Sequence, residues 1–399
     1  MITIEQAQNL IAATAKNFGV EEVPLHDGFN RTLATCIYAD RDYPPFNRSA
    51  MDGYAVQTSD FKNSNQSVTL TQIETVFAGQ LATSKLISGT CIKIMTGAPL
   101  PDGADAVIRI EDTFAEKENI TFKTTGPVPF LNIAKRGEDS LKGKLLLEPG
   151  HLLDMASMSL LATTGHALVK VFCLPKVLVI ATGSELVPVG APVLPFQIRD
   201  SNSITILNFL KQQHITAART LLIKDDKIAL KAGLEQGLNH DIIVLSGGVS
   251  KGDADYIPEV LAGLGVQEIF HRVKIKPGSP LWFGTTKHGG VVFGLPGNPV
   301  AVQVSCKLFI EPYLRKCFQR PNLEPVYFPL LEYKKKKTGL DEYFPCRLYT
   351  ANKRTGLKTN RMNGSGDIKA LSGSDGIALY PGDAADLQEN ESVAFYSWK

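Results

Sequence analysis

Apolar positions recur along this chain in two rhythms, and the places where the rhythm changes divide it. Over residues 2–18, Ile4, Ala7, Ile11, Ala15 and Phe18 stand three or four apart. That spacing gathers them on one face and predicts an amphipathic helix. The paired prolines after Tyr43 predict an extended connection. From about 57 to 140 the texture turns to short Val-, Thr- and Ile-rich runs broken by Gly, Asn, Asp and Pro, the pattern of strands and turns. Two of those strands should flank the Thr-Gly-Ala-Pro turn at 96–99. Helical spacing returns at 154–164. A β-rich insertion, 41–140, within an N-terminal helical or linker domain made of 1–40 and 141–172, accounts for that order.

Between 173 and 320, strand-like runs at 176–186, 220–226, 241–245, 268–280 and 289–299 alternate with helical patterns at 201–213, 226–239, 255–264 and 298–316. Strands that alternate with helices predict a parallel, doubly wound sheet. Its strand-to-helix turns should gather at the carboxyl edge, where ligands of such sheets bind. Residues 321–399 return to short strands, with turns at Asn363-Gly364, 373–376 and Pro381-Gly382, which suits a small β-barrel or sandwich. The expected fold is multidomain α/β and β. It has a central doubly wound α/β domain at 173–320, the β-rich inserted domain before it, and a small C-terminal β-barrel at 321–399.

Composition adds limits rather than detail. The chain has 399 residues, 44% hydrophobic and 21% charged, the make-up of a globular protein long enough for two to four domains. With 42 Lys and Arg against 40 Asp and Glu, the net charge is +2, so neither nucleic acid nor a membrane surface is expected as the main partner. No apolar run approaches the ~18 residues of a membrane span. The N-terminus lacks a signal pattern, and the six cysteines include no CxxC, which suggests reduced thiols and a cytoplasmic location.

The chemistry concentrates in turns. The stretch SGGVSKGDAD at 246–255 follows the apolar run 241–245 and precedes a helical pattern. In that arrangement backbone amides and a helix N-terminus point at an anion. Ser246 opens the turn, and Gly247, Gly248 and Gly252 permit positive φ and close approach to a ligand. Asp253 and Asp255 would repel a phosphate unless a cation lies between, and Mg²⁺ is the usual one. Gly183 and Glu185, Asp225, and the Pro-Gly-Asn-Pro run from Pro296 through Gly297 and Asn298 occupy the ends of other strands. Each acid alone is an ordinary turn or N-cap residue. Four on one edge suit a phosphorylated ligand with Mg²⁺, reacting by phosphoryl or phosphoanhydride chemistry.

Arg272, Lys274 and Lys276 alternate with Val273 and Ile275, a period of two that would put the three cations on one strand face. Ending at Pro277-Gly278, that stripe favours anion binding over a merely solvated face. Asp52 lies in a Met-Asp-Gly-Tyr turn, which by itself reads as a plain hairpin turn. Two motif matches fail. Asp253 stands where a P-loop needs Lys. The G-x-S-x-G at 248–252 has His271 and His288 as downstream candidates, and no acid is predicted to orient His271. No paired histidines suggest zinc.

Taken in order, SAMDGYA at 49–55, MTGAP at 95–99, RGED at 136–139, TGSEL at 182–186, DSN at 200–202, SGGVS at 246–250 with Gly252 to Asp255, KPG at 276–278 and GLPGNP at 294–299 resemble the MoeA family. These are the molybdopterin molybdenumtransferases, related to the C-terminal half of gephyrin. The resemblance spans nearly the whole chain. It implies a molybdopterin-binding α/β domain and an elongated homodimer with an intersubunit active site. It also implies insertion of molybdate into the dithiolene of adenylylated molybdopterin, with Mg²⁺-dependent hydrolysis releasing AMP and molybdenum cofactor. A molybdopterin adenylyltransferase would act upstream.

Position by position, the resemblance makes Asp52 the acid that reaches the partner subunit's pocket, with Thr96 and Asp139 in the same half-site. Glu185, Asp225 and Asp255 match metal and ligand acids, and Arg272 and Lys276 match the two basic residues. Ser246, Gly247, Gly248 and Pro296 to Asn298 match binding loops. Arg347 and Ser365 match an oxyanion-contacting pair. The chain departs from the family pattern at Phe196, where Gly is common, and at Ala301, where Ser is common. Two other readings compete. Molybdopterin adenylylation uses the same α/β fold but lacks the segment around Asp52, and a scaffold without activity would not need Asp52, Glu185 and Asp255 together.

Overall fold

Inside-outside alternation along the parallel strands explains why helices cover both faces of the central sheet. Val177 and Val179 pack on one side and Leu178 and Ile180 on the other. Ile242 and Val244 oppose Ile243 and Leu245 in the same way. The first face is covered by the helix Asn202–Gln212, through Ile206 and Leu210. The second is covered by Lys227–Gly237, through Leu230 and Leu234, and by Ile257–Gly263. Strands that are apolar on both faces are what a doubly covered parallel sheet requires.

The computed structural model describes residues 1–62, 67–124, 126–249, 256–335 and 338–398. The chain divides into two units, one of Met1–Ala34, Pro149–Asp154 and Leu168–Lys399, the other of Thr35–Glu148 and Met155–Ala167.

In the first unit the six-stranded sheet runs Arg219–Ile223, Val177–Thr182, Ile242–Ser246, Val291–Leu295, Trp282–Thr285, Gln267–His271. The first four are parallel neighbours, and the last two pair antiparallel. The doubly wound fold is as expected, but its far edge is mixed. The strand Trp282–Thr285 escaped the sequence reading because four residues are too few for a periodic signal. The chain leaves Val177–Thr182 toward one edge and later returns to its other side. The switch point therefore lies between Thr182 and Ser246.

The predicted stripe of three cations does not form. The strand ends at His271, Arg272 takes φ 74°, and Ile275–Lys276 joins a different sheet beside Asp341–Ala351. A residue in the left-handed region breaks the two-residue period, so the three side chains share no strand face. That second sheet runs from Ile275–Lys276 through Asp341–Ala351, Gly376–Tyr380 and Ser392–Ser397 to Val326–Pro329, with Arg354–Thr359 also paired to Asp341–Ala351. A bridge between Leu330 and Leu357 joins its two ends, which makes it the expected small barrel.

The N-terminal helix is shorter than 2–18. It spans Ile4–Ala12 behind a Thr3–Gln6 capping box. Thr14 turns back to the Ile11 carbonyl, so Ala15 and Phe18 pack against the core from outside the helix.

In the second unit a six-stranded sheet runs Ala106–Arg109, Gly53–Val56, Thr90–Ile94, Val68–Val76, Asn119–Phe122, Thr113–Glu116. Tyr54 and Val56 face one apolar cluster and Ala55 the other. All six cysteines are unpaired, and burial pushes the Cys91 and Cys346 thiols up to about 12, so both are unreactive.

Candidate functional site

At the switch point the turns interlock through their main chains. The Gly247 amide donates to the Leu295 carbonyl at 3.1 Å. Gly247 and Gly248 take φ 96° and 64°, and a Cβ on Gly247 would stand 2.4 Å from the Thr182 carbonyl oxygen. Only glycine fits both the dihedral and the gap. The Asn202 side-chain amide donates to Ser246 Oγ at 2.9 Å and to the Gly297 carbonyl at 2.7 Å, tying the two turns to the start of the helix Asn202–Gln212. Thr182 Oγ1 and Asn202 Oδ1 are buried and unpartnered among the described residues. Such atoms mark a place where a ligand or water completes the bonding.

The acids stand on neighbouring turns. Gly183 donates its amide to the Ile223 carbonyl at 3.2 Å, and Ser184 donates to Asp225 Oδ2 at 3.3 Å. The Glu185 carboxylate folds back over Gly183, both oxygens 2.9 Å from where a Cβ would be. Asp226, beside Asp225, is an N-cap, accepting the Ala229 amide at 2.9 Å. Asp253 and Asp255 lie outside the described residues. Among the described residues no cluster of three or more His, Cys, Asp or Glu forms a ready-made metal site. Two carboxylates on adjacent turns do fit Mg²⁺, which keeps waters and binds phosphate oxygens alongside one or two protein acids.

Lys276, Pro277, Gly278, Pro296, Asn298 and Ser365 line one cleft of about 590 Å³, with Ala301 in its wall. Asn298 Nδ2 donates to Ser365 Oγ at 2.7 Å, joining a turn of the α/β sheet to the barrel. Lys276 Nζ stands 3.5 Å from the buried Glu342 carboxylate. Arg347 is not among the cleft residues; its guanidinium lies against Gly373 and donates to that residue's carbonyl. Arg272 is half-buried, with Nε lacking a partner among the described residues. Phe196 is 71% exposed in the loop before Ile198–Arg199.

In the second unit two motifs hold each other. Ser49 donates its amide to the Ala98 carbonyl at 3.0 Å, and Gly97 donates to the Ser49 carbonyl at 2.8 Å. The Thr96 amide and hydroxyl both donate to Asp52 Oδ1, each at 2.7 Å. Those bonds hold the Asp52 carboxyl below the usual carboxylate range. Asp139 belongs to a turn bound to another segment. Its amide donates to the Tyr43 carbonyl at 2.9 Å, and Arg136 donates to Asp42 at 2.6 Å. The Asp139 side chain itself is exposed.

Thr182, Asn202 and Glu342 were absent from the sequence-derived site. Asn202 carried a signal, the Asp-Ser-Asn motif at 200–202. Thr182 likewise opened the Thr-Gly-Ser-Glu-Leu motif at 182–186, whereas Glu342 carried no signal.

A doubly wound domain with amide-rich turns, acids and a lysine at its carboxyl edge is an α/β protein built to bind an anionic ligand at its switch point. Three family models match the chain. The MoeA N-terminal region (domain I and II) covers residues 2–165, a probable molybdopterin binding domain covers 178–316, and the MoeA C-terminal region (domain IV) covers 328–398. A molybdopterin molybdenumtransferase of Synechocystis is 31% identical over 404 residues, spanning 100% of both chains. One from Haemophilus influenzae is 38% identical over 319 residues, 79% of this chain and 78% of that protein. The solved molybdopterin biosynthesis MoeA protein of Pyrococcus horikoshii superposes with a TM-score of 0.83 at 29% identity, covering 99% of this chain and 100% of that one. The chain belongs to the MoeA family, as its motifs implied.

Proposed function

We propose that this protein is a molybdopterin molybdenumtransferase that inserts molybdate into the dithiolene of adenylylated molybdopterin and releases AMP and molybdenum cofactor. The observation that carries the reading is the interlocked switch point, where Asn202 joins Ser246 to Gly297 beside Glu185 and Asp225. In this reading the Gly247-Gly248 turn, fixed by the bond from the Gly247 amide to the Leu295 carbonyl, presents the Gly248 amide to the phosphoanhydride, and Thr182 Oγ1 and Asn202 Oδ1 take up the ligand's remaining polar groups. Glu185, Asp225 and Asp255 would hold Mg²⁺, which when bound neutralises charge developing on the phosphoanhydride. Lys276, with Ser365 and Asn298 beside it, offers cation and hydroxyl to the oxyanion substrate. Arg272 would add positive charge toward the ligand, whereas Arg347 is turned to the Gly373 carbonyl.

Asp52 is an exposed carboxylate whose charged form is further favoured by the two Thr96 hydrogen bonds. It therefore carries no proton to give and serves as an acceptor or base. In the homodimer we propose, Asp52, Thr96 and Asp139 of the partner subunit complete the site. The work is placed in the cytoplasm, downstream of a molybdopterin adenylyltransferase. No helix among the described residues is long and apolar enough to cross a membrane.

The test is AMP release from purified protein given adenylylated molybdopterin and Mg²⁺, with and without molybdate. Molybdate-dependent release is the expected result. Tight binding without release would replace the transferase by a carrier or scaffold.

A further inference from the structure

We infer that His271 is a positioning residue for the Gly247-Gly248 turn, its ring tethering the main chain where that turn ends. The inference rests on the ligand site proposed above. His271 closes the strand Gln267–His271, and its Nε2 stands 2.8 Å from the Val249 carbonyl oxygen across 22 residues of chain. A carbonyl oxygen only accepts, so Nε2 carries the hydrogen, and it does so in the neutral and the charged ring alike. The tether is thus independent of the ring's charge.

Val249 is held a second way. Its side chain is buried, with Cγ1 2.8 Å from where a Cβ on Gly294 would stand. On the near side of the turn, the Gly247 amide is bound to the Leu295 carbonyl. Between these anchors lie two glycines at positive φ, the residues with most conformational freedom to lose. A turn pinned at both ends presents its amides already ordered. An unpinned one must be ordered by the ligand, at a cost in affinity.

His271→Leu removes the donor, and His271→Asn keeps a polar side chain too short to reach. His271→Gln offers an Nε2–H at similar reach. Amide hydrogen exchange at Gly247 and Gly248 reads the tether without any ligand, and calorimetry with AMP and Mg²⁺ reads its consequence. Exchange should quicken, and AMP affinity should fall by about 3- to 10-fold, the worth of one hydrogen bond, in the Leu and Asn variants. The Gln variant should match the wild type in both. Unchanged exchange in the Leu and Asn variants, or a Gln variant no better than they are, overturns the proposal. If the wild type itself fails to bind AMP, the nucleotide reading of the site falls, and hydrogen exchange still decides the tether.

Discussion

Asp52 and the acids of the α/β edge are held to different degrees. The Asp52 carboxylate accepts two hydrogen bonds from one residue, Thr96, whose turn is itself clasped to the Ser49 segment. Its charge and direction are settled before any ligand arrives. Glu185 folds back over Gly183 and Asp225 accepts the Ser184 amide, on turns near buried oxygens of Thr182 and Asn202 that lack a partner among the described residues. Asp52 is fixed by two donors of one residue, while the acids of the edge stand on turns whose neighbouring Thr182 and Asn202 oxygens still lack a partner among the described residues. Preorganised charge is the costlier to assemble and the more effective in a transition state, whereas an edge left to be completed suits a ligand that brings its own metal and phosphates.

The largest effect expected is at the preorganised acid. Asp52→Asn retains an Oδ1 for both Thr96 donors but removes the charge, so folding should be unchanged while molybdate-dependent AMP release falls by about 100-fold or more. Wild-type turnover in that variant would erase the functional half of the contrast.

Next comes the open edge. Gly247→Ala forces a Cβ to within 2.4 Å of the Thr182 carbonyl at φ 96°. It should cost about 1–3 kcal/mol of stability in chemical denaturation and weaken AMP binding together with it. An alanine variant as stable as the wild type would mean that the turn is not constrained as described.

At the cleft, Lys276→Met leaves the Glu342 carboxylate buried without its cation. Stability should fall by about 1–3 kcal/mol, and adding Glu342→Gln should recover part of it. An additive double mutant would show the two groups uncoupled.

The smallest effect concerns titration. The folded-state pKa of Asp52 is depressed, so its contribution to stability is present above the unfolded-state pKa and lost as pH falls through the lower, folded value. Thr96→Val removes the hydroxyl donor and keeps the amide. The Asp52 titration followed by carboxyl NMR should then move up toward the ordinary range. A titration that stays put would assign the whole depression to the amide.

Much of this molecule was legible before folding was considered. Helix and strand periodicity placed the alternating elements of the α/β domain, and the turns singled out Glu185, Asp225 and the Gly247-Gly248 turn, because turn chemistry and periodicity are local properties. Asp52, by itself a plain hairpin-turn residue, was singled out only by the family resemblance. The tertiary structure decided the rest. The cation stripe of Arg272, Lys274 and Lys276 broke where Arg272 adopts a positive φ and the next strand joins the barrel. Asn202 became the link between Ser246 and Gly297, and Arg347 turned to the Gly373 carbonyl while Ser365 met Asn298. Glu342 found Lys276 from the start of a barrel strand. Each of these is a pairing between residues far apart in the chain. Such pairings are chosen by which strands lie side by side and which buried polar atoms need partners, and they leave no periodic trace in the order of the residues.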